Sequence, residues 1–224
     1  MMEYFPYGEK EIAYLQKKDK KFGAIIELLG HPERPVIPDL FSGIVNSILS
    51  QQISTKAADT VWERFKETFS PITPEHLEEI PDETMQACGT TFRKVTYIKN
   101  ISHLAAEGKI SMEDLAALPD DAFCTELAKL PGIGKWTAEM LLIHSLLRPD
   151  VLSYGDLAIL RGLRMVYRHR TITKEQFERY RRRYSPYGTT ASIYLWRVSA
   201  GVIPGLTDPA ARTAKKKSIQ NPVA

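Results

Sequence analysis

Leu130-Pro131-Gly132-Ile133-Gly134-Lys135-Trp136-Thr137-Ala138 separates two segments of helical apolar patterning by only a few residues. Pro131 has no amide hydrogen and its ring cannot extend a preceding helix. Gly132 and Gly134 permit backbone conformations that bulkier residues avoid, so the chain is expected to reverse there. A new helix then starts near Lys135, with its first amides unsatisfied and facing outward at the positive end of the helix dipole. A phosphate oxygen fits against such amides, and the glycines let it come close. Contacts of this kind hold a nucleic-acid backbone without reading its sequence. Pro-Gly alone would suit an ordinary turn between helices; the whole run favours a phosphate grip.

Working outward, helical punctuation recurs along the chain. Asp39 stands before Leu40, Phe41, Ile44, Val45, Ile48 and Leu49, an apolar stripe with an N-cap. Ala57, Ala58, Val61, Trp62, Phe65 and Phe69 repeat the spacing. Thr73-Pro74 reads as an N-cap and first helical position, and Ser111 with Asp114 as a capping arrangement. Gly89 is read as ending a short helix at Cys88, with helix again over 92–106. Further helices are expected over 121–129, 136–147, 157–166, 173–184 and 190–201. No stretch alternates with the period of a strand. The pattern predicts an all-α fold of about ten helices joined by short loops, without internal repeats.

Composition constrains the class without choosing it. The chain has 224 residues, 43% hydrophobic and 25% charged, with a formal charge of +3; this fits a nucleic-acid partner only weakly. Cys88 and Cys124 are too few for a four-cysteine zinc or iron–sulfur site and read as buried thiols of a reducing compartment. His31, His76, His103, His144 and His169 show no ligand spacing, so no catalytic metal is expected. No apolar run nears the roughly 20 residues of a membrane span. The expected location is the cytoplasm, with the nucleoid, or the nucleus of a eukaryote.

Asp156 lies just beyond the helix that the hairpin opens. Locally it is a good N-cap for Leu157-Ala158-Ile159. A carboxylate held rigid in this way also suits N-glycosidic chemistry. Breaking that bond builds positive charge on the sugar, which a nearby anion stabilises while it orients water. If the leaving base is already cationic, no general acid is required. A pure DNA binder gains nothing from a carboxylate near phosphates.

Several segments, in this order, resemble the helix-hairpin-helix (HhH-GPD) superfamily of base-excision DNA glycosylases, in its 3-methyladenine DNA glycosylase II (AlkA-like) branch. They are Ile48-Leu49-Ser50-Gln51-Gln52-Ile53-Ser54, Ala87-Cys88-Gly89 with Arg93-Lys94, the hairpin, Asp156, and Tyr194-Leu195-Trp196. The match runs from about Asp39 to Arg197. It implies a two-lobed helical fold with a DNA cleft and base pocket between the lobes. One lobe would be 38–152 with the hairpin, the other 1–37 plus 153–206, followed by a frayed tail over 207–224. The chain reads as a minimal version without the N-terminal β-rich domain of some relatives.

The resemblance also implies residue roles. Asp156 is the catalytic aspartate. Gln52, with Gln51 and Ser54 beside it, is the wedge that fills the vacancy of a flipped nucleotide, though two glutamines ending a helix in solvent would look the same. Gly132, Gly134, Lys135 and Thr137 contact phosphates, and Arg93 and Lys94 the opposite strand. Trp136 and Trp196 wall a base pocket, where indoles attract cationic bases by cation–π interaction; core packing is the plain alternative. Met140 stands where some relatives carry an aromatic ring, and Tyr154 supplies a substitute. Backbone carbonyls of Ala128, Leu130 and Ile133 would hold a structural Na+ or K+, with no cofactor needed for catalysis. Members that also cut the backbone carry a lysine at position 136, so Trp136 implies a glycosylase without AP-lyase activity. The absence of a four-cysteine cluster argues against the endonuclease III and adenine-mismatch branches. Gly155 replaces an acidic residue found in some relatives. The arginines 181–183 read by default as a solvated face.

The expected activity is therefore monofunctional removal of alkylated purines, 3-methyladenine and then 7-methylguanine, by a monomer acting on duplex DNA that contains a damaged base. A glycosylase for neutral lesions such as hypoxanthine or uracil, and a non-catalytic DNA-structure-binding protein, are the rivals.

Overall fold

Why the chain divides where it does follows from hydrogen bonds around position 150. The computed structural model describes residues 3–210, and the chain forms two units: one takes the chain up to Pro35 and from Arg148 onward, the other is Val36–Leu147. Thr189 donates its hydroxyl to the Arg148 carbonyl at 2.5 Å and accepts from the Val151 amide at 3.0 Å. Asp150 accepts the Gly188 amide at 3.0 Å. These bonds assign 148–152 to the first unit, so the boundary falls a few residues before the expected 152.

Among the described residues there are thirteen helices and two short strands, β1 (Glu3–Tyr4) and β2 (Pro35–Val36). The first unit contains α1 (Glu9–Lys18), α2 (Lys20–Leu29), α11 (Leu157–Tyr167), α12 (Lys174–Tyr184) and α13 (Gly188–Ser199). The second contains α3 (Leu40–Leu49), α4 (Thr55–Phe69), α5 (Pro74–Glu79), α6 (Asp82–Gln86), α7 (Phe92–Ala106), α8 (Met112–Ala117), α9 (Asp120–Leu127) and α10 (Lys135–His144). The count exceeds the expected ten partly because α1 and α2 precede the first helix that the sequence pattern marks. Pro81 also ends α5 early, since the residue before a proline avoids helical geometry, and α6 starts anew.

Caps account for most helix starts. Asp39 accepts the Ser42 amide at 2.7 Å, Thr73 that of His76, and Ser111 that of Asp114. Burial then fixes the orientation of each helix. In the first unit Phe22, Ile26, Ile159, Leu163, Phe177, Tyr184, Tyr194 and Leu195 form one core. Here α11 lies so close on α13 that a Cβ at Gly162 would come within 2.5 Å of the Leu195 carbonyl oxygen. Only glycine allows that approach. In the second unit Ile44, Ile48, Phe65, Leu77, Val95, Phe123 and Ile143 are buried.

The expected frayed tail does not begin at 207. Asp208 is buried and accepts two hydrogen bonds from Arg164, at 3.0 and 2.5 Å. The rest of that tail, including Lys215-Lys216-Lys217, lies outside the described residues.

Candidate active site and nucleic-acid hairpin

In the second unit the hairpin lies between α9 and α10. Leu130 closes its turn by accepting the Ile133 amide at 3.1 Å, and Ile133 is buried. The two glycines prove to be unlike. Gly132 has φ +84°, the left-handed region that favours glycine, whereas Gly134 has φ −96°, which any residue adopts. A Cβ at Gly132 would also strike the Tyr97 ring at 2.3 Å, while one at Gly134 would meet nothing within 4 Å. Gly134 therefore matters through the open space it leaves at the start of α10, not through conformational freedom.

Gly134 is the N-cap of α10 and gives no side-chain cap. Gly134 and Lys135 are exposed, and Trp136 is about half exposed at 49%. Thr137, expected to touch phosphate, is buried. Met140 is buried two turns into the same unit's interior.

Four residues read as DNA contacts have partners within the protein. Lys94 directs its ammonium to the carbonyls of Leu49 and Gln51, both at 2.7 Å. It thereby closes the C-terminal end of α3, where a cation is favourable, rather than facing outward; burial lowers its pKa from the usual lysine range. Ser54 is the N-cap of α4, accepting the Ala57 amide at 3.3 Å. Gln51 is not turned out either: it donates Nε2–H to the Gly132 carbonyl at 2.7 Å. Gln52 is exposed with φ +60°, and Arg93 donates to the Tyr97 hydroxyl at 2.6 Å.

Asp156, in the first unit, is 5% exposed. It caps α11: Oδ1 accepts the Ala158 and Ile159 amides at 2.8 and 2.9 Å. Oδ2 accepts the Trp196 indole N–H at 3.2 Å. Trp196 in turn carries the Arg34 guanidinium over its ring, 4.6 Å from the centroid. Burial lowers the Arg34 pKa from its usual value, and the Asp156 charge opposes that shift. Around the carboxylate, Leu157 is 80% exposed and Tyr154 41%, with the Tyr154 ring edge-on to Phe177 at 5.1 Å. No motif or spacing marks Arg34, which stands isolated in Glu33-Arg34-Pro35. Trp196 holds Asp156 by its N–H and has a cation on one face, so it serves the carboxylate before any ligand.

Among the described residues no cluster of three His, Cys, Asp or Glu side chains could hold a metal, and no helix is long and apolar enough to cross a membrane. Cys88 and Cys124 are free thiols, both buried. Burial pushes the Cys124 thiol up to about 11.

A glycine hairpin opening one helix and a buried carboxylate capping another define an all-helical protein of the helix-hairpin-helix class. The HhH-GPD superfamily of base excision DNA repair proteins matches this chain over residues 45–186, and the chain belongs to that family. It is 32% identical over 194 residues to DNA-3-methyladenine glycosylase 1 of Schizosaccharomyces pombe, an alignment spanning 83% of this chain and 85% of that protein. A crystal structure of a DNA-3-methyladenine glycosidase from Bacillus halodurans superposes with a TM-score of 0.77 at 29% identity, covering 96% of this chain and all (100%) of that one. The structure of a 3-methyladenine DNA glycosylase from S. pombe in complex with abasic DNA superposes with a TM-score of 0.74 at 31% identity, over 86% and 97% of the two chains.

Proposed function

We propose that this protein is a monofunctional DNA glycosylase that hydrolyses the N-glycosidic bond of alkylated purines, 3-methyladenine foremost and 7-methylguanine next. The observation that carries the reading is the Asp156 carboxylate, buried yet fixed by two backbone amides and one indole N–H. Such a group is already oriented before reaction, so it stabilises a developing oxocarbenium without reorganising. One well-aimed group of this kind is worth on the order of 3 kcal/mol. The names of the similar proteins support the same chemistry.

In this reading the glycosidic electron pair leaves with the base, which an alkyl substituent has made cationic and which departs neutral. Water adds at C1′ and gives up a proton, leaving an abasic site. Gln52 fills the vacancy in the duplex, and the amides of the exposed Gly134 and Lys135 take a phosphate. The Trp136 ring offers an aromatic face to a cationic base. With an indole at 136 there is no amine for a Schiff base, so AP-lyase activity is not expected. Ala128, Leu130 and Ile133 offer hard main-chain oxygens suited to Na+ or K+; Leu130 keeps a second lone pair beyond the bond to Ile133. A cation there would supply positive charge toward a phosphate.

The deciding experiment is base release from methylated duplex DNA by wild type and Asp156→Asn, with the freed bases identified. Loss of 3-methyladenine release with duplex affinity retained supports the proposal. Parallel loss of both, or release of neutral bases in preference to cationic ones, overturns it. Trapping by borohydride would overturn the monofunctional part alone.

A further inference from the structure

We infer that Gln51, Lys94 and Tyr97 are positioning residues that lock the hairpin to the loop carrying Gln52, so that grip on the phosphate backbone and insertion into the duplex act as one element. This rests on the reading of the hairpin and Gln52 given above. Three contacts, each between distant parts of the second unit, carry it. Gln51 donates to the Gly132 carbonyl at 2.7 Å across 81 positions of sequence. Lys94 bonds the carbonyls of Leu49 and Gln51 at 2.7 Å, on either side of Ser50. The Tyr97 ring occupies the space that a side chain at Gly132 would need, and Arg93 donates to its hydroxyl at 2.6 Å.

The arrangement has a direct mechanical consequence. Between α3 and α4 the Ser50 and Gln51 amides bond back to Asn46 and Ile48, and Gln52 then adopts φ +60°, a conformation a non-glycine residue keeps only when its surroundings impose it. Lys94 fixes the backbone immediately before Gln52 by charge-assisted bonds. Gln51 then ties that same backbone to Gly132, the one hairpin residue held in the left-handed region. α7 thus reaches both ends of the connection, through Lys94 to the loop and through Tyr97 to the hairpin. A half-ångström shift of either end would misdirect the α10 amides or the Gln52 side chain.

Gln51→Leu keeps most of the bulk of the side chain, one atom shorter, and removes the bond to Gly132. It is expected to weaken binding to an undamaged duplex by about tenfold, as for one lost hydrogen bond, with the thermal midpoint within about 3 °C of wild type. Lys94→Met should do the same and Lys94→Arg should restore most of the affinity. Coupling is read from Gln52→Ala alone and with Gln51→Leu, using single-turnover base release from a fully paired duplex. If the brace operates, Gln52→Ala costs less in the Gln51→Leu background than in wild type. Strictly multiplicative effects, or a Gln51→Leu protein that binds duplex within about twofold of wild type, overturn the inference. Gly134→Asp separates this from failure of the underlying reading. Loss of duplex binding in Gly134→Asp with Gln51→Leu unaffected removes the brace alone, whereas retained binding in Gly134→Asp removes the hairpin grip itself.

Discussion

Two carboxylates in the first unit are built almost alike, and only one has the surroundings of an active group. Asp19 caps α2, its Oδ1 accepting the Lys21 and Phe22 amides, both at 3.0 Å. Asp156 caps α11 with the same two-amide pattern at 2.8 and 2.9 Å. Both are buried. They part at the second oxygen. Asp19 receives the Tyr167 hydroxyl at 2.8 Å and an ion pair from Arg183, and Tyr167 passes the network on to Tyr184. Asp156 receives a neutral indole N–H, and Arg34 stacks over that indole. The neighbours of Asp19 are lysines 18, 20 and 21; those of Asp156 are the exposed Tyr154, Gly155 and Leu157. A cap supplies rigidity in both places. What differs is the kind of group at the second oxygen, a hydroxyl and a guanidinium at Asp19 and an indole N–H at Asp156.

The largest expected effect breaks the pair apart. Asparagine caps a helix about as well as aspartate, so Asp156→Asn should fold normally and lose base release by about 10²–10³-fold, the scale of one preorganised electrostatic group. Asp19→Asn should leave base release unchanged and lower the thermal midpoint. Single-turnover release and thermal melts of both variants test this; equal catalytic loss in the two would erase the distinction.

Sequence alone made Asp156 legible as a cap, because the N-cap preference is local chemistry. The same reasoning would have served Asp19, but α1 buries only Leu15, and α2 was hidden by the lysines before Phe22, although Phe22, Ile25, Ile26 and Leu29 have helical spacing. Helix α7 is where its apolar period places it, Phe92–Ala106. Partners across the chain were not legible. Nothing in Gln51 points to a carbonyl 81 positions away, and Arg93-Lys94 looked like one basic pair until α7 turned Lys94 toward α3. Likewise the pattern Gly-x-Gly could not say that Gly132 supplies conformation and Gly134 space. Nor does the motif alone reveal that Ser54 caps α4 or that Thr137 is buried.

Smaller effects should follow the third partners. Arg34→Gln removes the cation over Trp196 and charge facing Asp156, and is expected to lower base release by about tenfold with little change in duplex affinity, as for a partly desolvated cation–π contact. Arg183→Gln should cost about 1 kcal/mol of stability, discounted because Arg183 is 42% exposed, with release unaffected. Trp196→Phe keeps packing but deletes the bond to Oδ2; at 3.2 Å that bond is long, so a loss of about fivefold in kcat is expected. Tyr167→Phe, its counterpart at Asp19, should register in the melt and not in kcat. Crossed outcomes, with Arg183 governing release or Arg34 governing only stability, would show that the two carboxylates had been assigned the wrong way round.

The finest test separates the carboxylates by acid. Burial pushes the Asp19 carboxyl up, but the Phe22 amide, the Tyr167 hydroxyl and Arg183 together outweigh it and hold the group below its usual range. A depressed folded-state pKa means that the unfolded chain binds the proton more readily. The contribution of Asp19 is therefore complete above the unfolded value of about 3.9 and fades as pH falls through the lower, folded value. Asp208 is held down in the same sense, chiefly by its hydrogen bond from Arg164, and will keep part of the acid dependence in any Asp19 variant. Thermal midpoints of wild type and Asp19→Asn, followed downward from neutrality, should run parallel until about pH 4 and converge below it. Curves that stay parallel to the lowest pH would mean that Asp19 is as readily protonated folded as unfolded, and that its partners hold it in place without stabilising its charge.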